Sequence, residues 1–160
     1  MSRILRARPA TSPPRGSKGG VVNFIPYLSF QGECHEAFET YARVFGGELQ
    51  INRFDEMPEA TGMPELEPDQ AGWILHAQLT LPDGGRLLGS DTPRQFGGER
   101  MAGSSIAVTL QSEAEIRRVF DELAEGSTVK MEPGPTFFAS FFAMLTDRFG
   151  ASWMLVVEAE

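Results

Sequence analysis

The sequence has little cysteine, little histidine and no long apolar run. One thiol, Cys34, among 160 residues excludes an internal disulfide framework and fits a reducing compartment, so a cytoplasmic protein is expected. Two histidines, His35 and His76, leave few imidazoles for a metal site or an acid–base pair. No apolar stretch approaches the ~20 residues needed to span a bilayer, so no membrane partner is expected. Base is also scarce: 14 basic residues stand against 22 acidic ones, a net charge of −8. Five of those bases (Arg3, Arg6, Arg8, Arg15, Lys18) fall in residues 1–22 with no acid, which leaves nine bases against all 22 acids, a net of −13, in the remainder. So acidic a domain is a poor partner for phosphate backbones, which argues against nucleic acid. Its field could favour a cationic ligand, although acids that simply keep the surface soluble are the plainer account.

Hydrophobic residues make up 41% of the chain, enough for one domain or for two small halves sharing a core. Residues 1–22 are rich in Pro, Gly, Ser and Arg, lack the apolar stretch of a secretory signal, and read as a basic flexible tail. After them, "NFIPYLSF" is β-rich and reads as a buried strand. From Cys34 the apolar residues fall at Ala37, Phe38, Tyr41, Val44 and Phe45, the spacing of a helix with one buried stripe, and Gly46-Gly47 ends it. "ELQINRF" reads as a strand. Residues 55–72, with three prolines and many acids, read as a long loop. "WILHAQLTL" and "RLLGSD" are strands joined by a tight "PDGG" turn.

The order then repeats beyond a linker at 92–103. "SSIAVTLQ" is a strand. Ser112 with Glu115 makes a capping box for a helix whose stripe is Ile116, Val119, Phe120 and Leu123. "STVKME", "FFASFFAMLTD" and "WMLVVE" are three further strands. Each half is therefore strand–helix–strand–strand–strand. A lone four-stranded sheet with one helix keeps one face open. Two such halves side by side make a cup with helices outside, and a cup mouth suits a small molecule.

This duplicated βαβββ order resembles the vicinal oxygen chelate superfamily, which includes glyoxalase I, extradiol dioxygenases and bleomycin-resistance proteins. Within it, "PYLSFQGECHEAFETYARVFGGEL", "ILHAQLTL", "LLGSD" and "LTDRFGASWML" look like the PhnB-like branch, and the resemblance covers residues 24–160. Members of that branch are often labelled 3-demethylubiquinone methyltransferase-like. No glycine-rich methyl-donor loop stands between a first strand and a helix here, so the label carries little weight. The resemblance implies a homodimer, in which some members exchange halves between chains.

It also implies up to four metal ligands, from the first and last strands of each half, of the His, Glu and Gln type that suits borderline and hard cations. Placed by the turn landmarks, these positions fall near Pro26, Ser90, Ser105 and Met154. A proline, two hydroxyls and a thioether make a degenerate set, with Asp91 the one nearby carboxylate in the first half. A divalent metal is thus not supported, and no cofactor is expected. His35, beside Glu36 and Glu39, reads as a solvated helix residue. Cys34 begins a helix, where the dipole can lower a thiol pKa, but it also belongs to the buried stripe and reads as a packed, inert thiol. His76, alternating with Ile74, Gln78 and Thr80, can face the cup as an acid–base group or be a hydrogen-bonded core histidine. Asp91, on the strand across the hairpin, is its candidate catalytic partner if the register allows.

Arg53 and Asp55 stand at the end of the second strand, where they could gate a pocket. In the second half, strand alternation puts Phe138 and Phe142 on one face and Phe137 and Phe141 on the other. Arg53, Phe138, Phe142 and Trp153 are taken as the pocket lining. The expectation is an α+β cup, one structural domain of modules 23–91 and 104–160. It binds a small molecule without a tightly held metal. The alternative is an enzyme, either a metal-assisted isomerase or dioxygenase with non-standard ligands or a metal-free acid–base catalyst using His76.

Overall fold

A computed structural model describes residues 22–57 and 66–159. The basic stretch up to residue 21 and residues 58–65 of the acidic loop lie outside the described residues. The first half runs Tyr27–Phe30 (β1), Cys34–Phe45 (α1), Glu48–Arg53 (β2), Ile74–Thr80 (β3) and Arg86–Asp91 (β4). The second runs Ile106–Thr109 (β5), Glu113–Leu123 (α2), Thr128–Gly134 (β6), Phe141–Thr146 (β7) and Ser152–Val157 (β8). Each half makes a four-stranded sheet, in the orders β1-β4-β3-β2 and β5-β8-β7-β6, with the first strand parallel to the last and the other pairings antiparallel.

Register sorts the side chains. On one face of the first sheet, Leu28, Phe30, Ala77, Leu79 and Leu87 are buried against the Cys34, Ala37, Phe38, Tyr41 and Val44 stripe of α1. Gly89 makes room for that contact, because a Cβ there would meet the Phe38 ring at 2.6 Å. The second sheet repeats the plan, with Leu145, Trp153 and Leu155 under Ile116, Val119, Phe120 and Leu123 of α2. The two stripes join in one core. Tyr41 lies edge-on to Trp153 with ring centroids 5.0 Å apart, and the Arg118 guanidinium donates to the Val44 carbonyl at 3.0 Å. Both helices therefore cover the same side, and each sheet keeps an open face.

Three expected strands differ in extent. β1 starts at Tyr27 rather than Asn23, although the Pro26 carbonyl still accepts from Leu88 N at 3.0 Å. β6 runs on to Gly134 through Pro133; it is an edge strand, where a residue without an N–H is tolerated. β7 begins only at Phe141, because the Thr136 hydroxyl accepts from Ala139 N at 3.1 Å and closes a local turn over Phe137–Ala139. Alternation along a single strand therefore does not reach Phe137 and Phe138.

Candidate functional site

The open face of the first sheet is polar. Asn52 pairs with His76, the antiparallel register of Ala77 with Gly89 carries His76 opposite Ser90, and Ser90 pairs with Ser29. The next row is Gln50, Gln78, Leu88 and Tyr27. His76 is half-buried, and its ring lies 6.1 Å from that of Tyr27.

The expected partnership of His76 with Asp91 is corrected by the same register. Asp91 points to the opposite, helix-covered face and is 2% exposed. Its carboxylate accepts from Gly32 N at 2.7 Å, Cys34 N at 3.0 Å and Ile74 N at 2.8 Å. It is the distant cap of α1, whose first turn has no side-chain cap of its own. These bonds also take up the amides of the β1–α1 turn, so that turn offers those donors to no ligand. Cys34 is fully buried, and its pKa is driven up, first by desolvation and then by the Asp91 charge, rather than down by the helix dipole. His35 is exposed, with Nε2 3.3 Å from Glu39.

The second sheet's open face is mostly apolar. Ala107, Met154, Met144 and Met131 pair in one row across all four strands. The next row holds Thr109, Val156 and Phe142, and the Phe138 ring packs on Phe142 with centroids 5.1 Å apart. Phe142 is nearly buried, whereas Phe138 is half-exposed and Phe137 wholly exposed. At the other end, Ser152 Oγ is 2.9 Å from Ser105 Oγ and accepts from Lys130 Nζ at 3.4 Å.

Two expected pocket residues lie elsewhere. Trp153 belongs to the core, 2% exposed, with Nε1 donating to Asp147 at 2.8 Å. It reaches only a groove bounded by Phe45, Leu79, Leu87 and Val108, residues of α1 and of the helix-covered faces. Arg53 pairs with Asp55 at 2.6 Å in the turn after β2, where both are exposed. The acidic loop with which they were expected to gate the pocket lies partly outside the described residues.

Beside the edge strands β1 and β5 a groove of about 420 Å³ draws on both halves, lined by Pro26, Tyr27, Met101, Ser105 and Ser152 among others. Two of the four metal positions implied by the superfamily, Pro26 and Ser105, lie here. Ser90 and Met154 lie on the open faces to either side. The donor chemistry does not fit a divalent ion. Proline has no donor atom, Ser105 is engaged with Ser152, and Met154 is a thioether set against Met144. Among the described residues, no three His, Cys, Asp or Glu side chains gather to hold a metal, and no helix is long and apolar enough to cross a membrane.

Sequence reading missed Lys130, Tyr27, Ser152 and the methionine row. Met144 and Met154 shared strand parity with Phe142 and Ser152, which was legible. That Met131 joins them depends on a register shift in β6 that no local pattern announces.

Comparison with known proteins places this geometry. Residues 22–156 match the family model described as 3-demethylubiquinone-9 3-methyltransferase. Protein YjdN of Escherichia coli K12 is 33% identical over 142 residues, covering 82% of this chain and 92% of that protein. The crystal structure of protein PA1353 from Pseudomonas aeruginosa superposes with a TM-score of 0.77 at 39% identity, over 88% of this chain and all of that one. A Bacillus cereus structure described as a putative 3-demethylubiquinone-9 3-methyltransferase, PhnB protein, gives 0.65 at 28% identity, over 85% of this chain and 99% of that one. A glyoxylase/bleomycin resistance protein/dioxygenase domain from Frankia sp. EAN1pec gives 0.58 at 11% identity, over 88% of this chain and 93% of that one, a likeness of fold alone.

Proposed function

The chain belongs to the PhnB-like family described as 3-demethylubiquinone-9 3-methyltransferase, and on that premise we propose that it binds a small molecule in the cup, at the β1–β5 groove, without a tightly held metal. The observation that carries this reading is a groove lined from both halves, by Pro26 and Tyr27 of the first and Ser105 and Ser152 of the second, beside two uncovered faces, one polar around His76, the other apolar along Met131, Met144 and Met154. A concave site with an apolar wall and a few polar groups is the ordinary form of a small-molecule pocket. The misfit of Pro26, Ser90, Ser105 and Met154 to a cation supports the metal-free form.

Elemental analysis of untagged protein, followed by thermal melts with added Ni, Mn, Zn or Fe, tests the metal clause. The expected result is less than stoichiometric metal and no metal-dependent rise in Tm. Stoichiometric metal would overturn it. A second reading, acid–base catalysis by His76, is favoured by one observation: the imidazole sits on the open face, half-buried beside Tyr27. His76→Ala distinguishes the two. Binding retained with no turnover lost supports the binding protein, whereas turnover lost with binding retained supports the enzyme.

A further inference from the structure

The domain is acidic, and four of its nine described basic residues are held in ion pairs. Arg53, Arg117, Arg118 and Arg148 each form an ion pair with a neighbouring carboxylate. Lys130 differs. Its ammonium lies on the open face of the second sheet, no carboxylate among the described residues pairs with it, and its partner is a hydroxyl, Ser152 Oγ, at the long distance of 3.4 Å. An ammonium has three donors, so capacity remains. Ser152 is itself 9% exposed and bonded to Ser105 Oγ, and both serines line the β1–β5 groove. Two hydroxyls thus line the groove and the cation reaches it through Ser152, on the same sheet face as the methionine row.

We propose that Lys130, Ser152 and Ser105 form an oxyanion subsite, and that the ligand of the cup is an amphipathic anion. A carboxylate or phosphate-type group sits against the Lys130 ammonium and the serine hydroxyls, and an apolar body lies along Met131, Met144 and Met154. Thioether side chains suit such a body because they adapt to its shape and make favourable contacts with aromatic edges. The net charge of the domain opposes this only weakly. At physiological salt its field is screened within about 8 Å, so an ammonium in direct contact dominates locally. This inference rests on the cup being a ligand site and adds the chemical class.

Four probes of one shape test it by calorimetry: 2-naphthoate, 2-naphthyl phosphate, neutral 2-naphthamide and cationic 2-naphthylmethylamine. The expected result is that at least one anion binds about tenfold or more tighter than the amide, the worth of one charge-assisted contact. Lys130→Met should bring that anion down to the amide's affinity, leave the amide unchanged, and melt as the parent protein does, since the side chain is exposed. Lys130→Arg should restore most of the preference. Which anion leads identifies the oxyanion. Equal binding of anions and amide, or tighter binding of the amine, overturns the subsite while the cup stands as a ligand site. Binding of none of the four overturns the cup reading as well.

Discussion

The two halves share an element order and one buried aspartate each, but the aspartates serve different ends. In the first half, Asp91 closes its own module, accepting from both ends of the β1–α1 turn and from the start of β3. In the second half, Asp147 holds the β7–β8 turn through Phe149 N and Ala151 N, both at 3.0 Å. Its other oxygen accepts from Trp153 Nε1 at 2.8 Å and from the Tyr41 hydroxyl, across the halves, at 2.7 Å. α2 therefore needs no distant cap and uses Ser112, which accepts from Glu115 N at 3.2 Å. One half is capped from afar, the other locally, and the second half's aspartate, which follows β7 rather than ending the last strand, ties the halves together. The open faces diverge in the same way, polar in the first and methionine-lined in the second. A repeated frame thus keeps its buried geometry while its exposed chemistry separates.

Asp91→Ala breaks this contrast hardest. It leaves three backbone amides without their acceptor, two of them buried, and should destabilise the protein by about 3–5 kcal/mol or leave it unfolded, as urea denaturation would read. A loss no larger than that for the local cap would remove the distinction between the two helix starts. Tyr41→Phe tests the tie between halves and should cost about 1.5–3 kcal/mol, the range for a hydrogen bond to a charged acceptor. It should also change the response to alkali. Burial pushes the Tyr41 hydroxyl well above its ordinary value, with the Asp147 charge adding to the effect. The folded state therefore keeps a proton that the unfolded chain releases above pH ~10, and stability falls by about 1.4 kcal/mol per pH unit beyond that point. The variant should lose that part of the slope, while the Cys34 part, which begins near pH ~8.5 for the same reason, stays. Ser112→Ala should have the smallest effect, about 1 kcal/mol, in a denaturant midpoint shift without a change of slope.

How much of this was legible follows from range. The α1 stripe, the Ser112 cap and most of the hairpin strands were readable because each rests on residues within a few positions of one another, although Glu115 accepts from Gln111 N at 2.7 Å rather than closing the expected box on Ser112 N. So was the family likeness, carried by stretches such as "PYLSFQGECHEAFETYARVFGG". Asp91 was not. A carboxylate at a strand end next to a histidine-bearing strand looks catalytic until the register places it on the covered face, 57 residues from the amide it caps. Trp153 misled for a related reason. Strand parity alone does not say which face the helix covers, and the answer came from Tyr41 and Asp147, far away in the chain. Lys130 was invisible because its neighbour Ser152 is 22 residues distant and its strand is bulged.

The Asp91 cap also sets an order of events during synthesis. When the ribosome has made α1, the groups that will fix its first turn do not yet exist, and that turn frays. It becomes secure only once β3 and β4 have followed and the chain has closed a long loop back onto Gly32 and Cys34, a slow step by comparison with local capping. α2 carries its own cap, so its first turn depends on no residue made later. Both sheets wait for their last strand, since β1 pairs with β4 and β5 with β8, but only the first helix waits with its sheet for a cap.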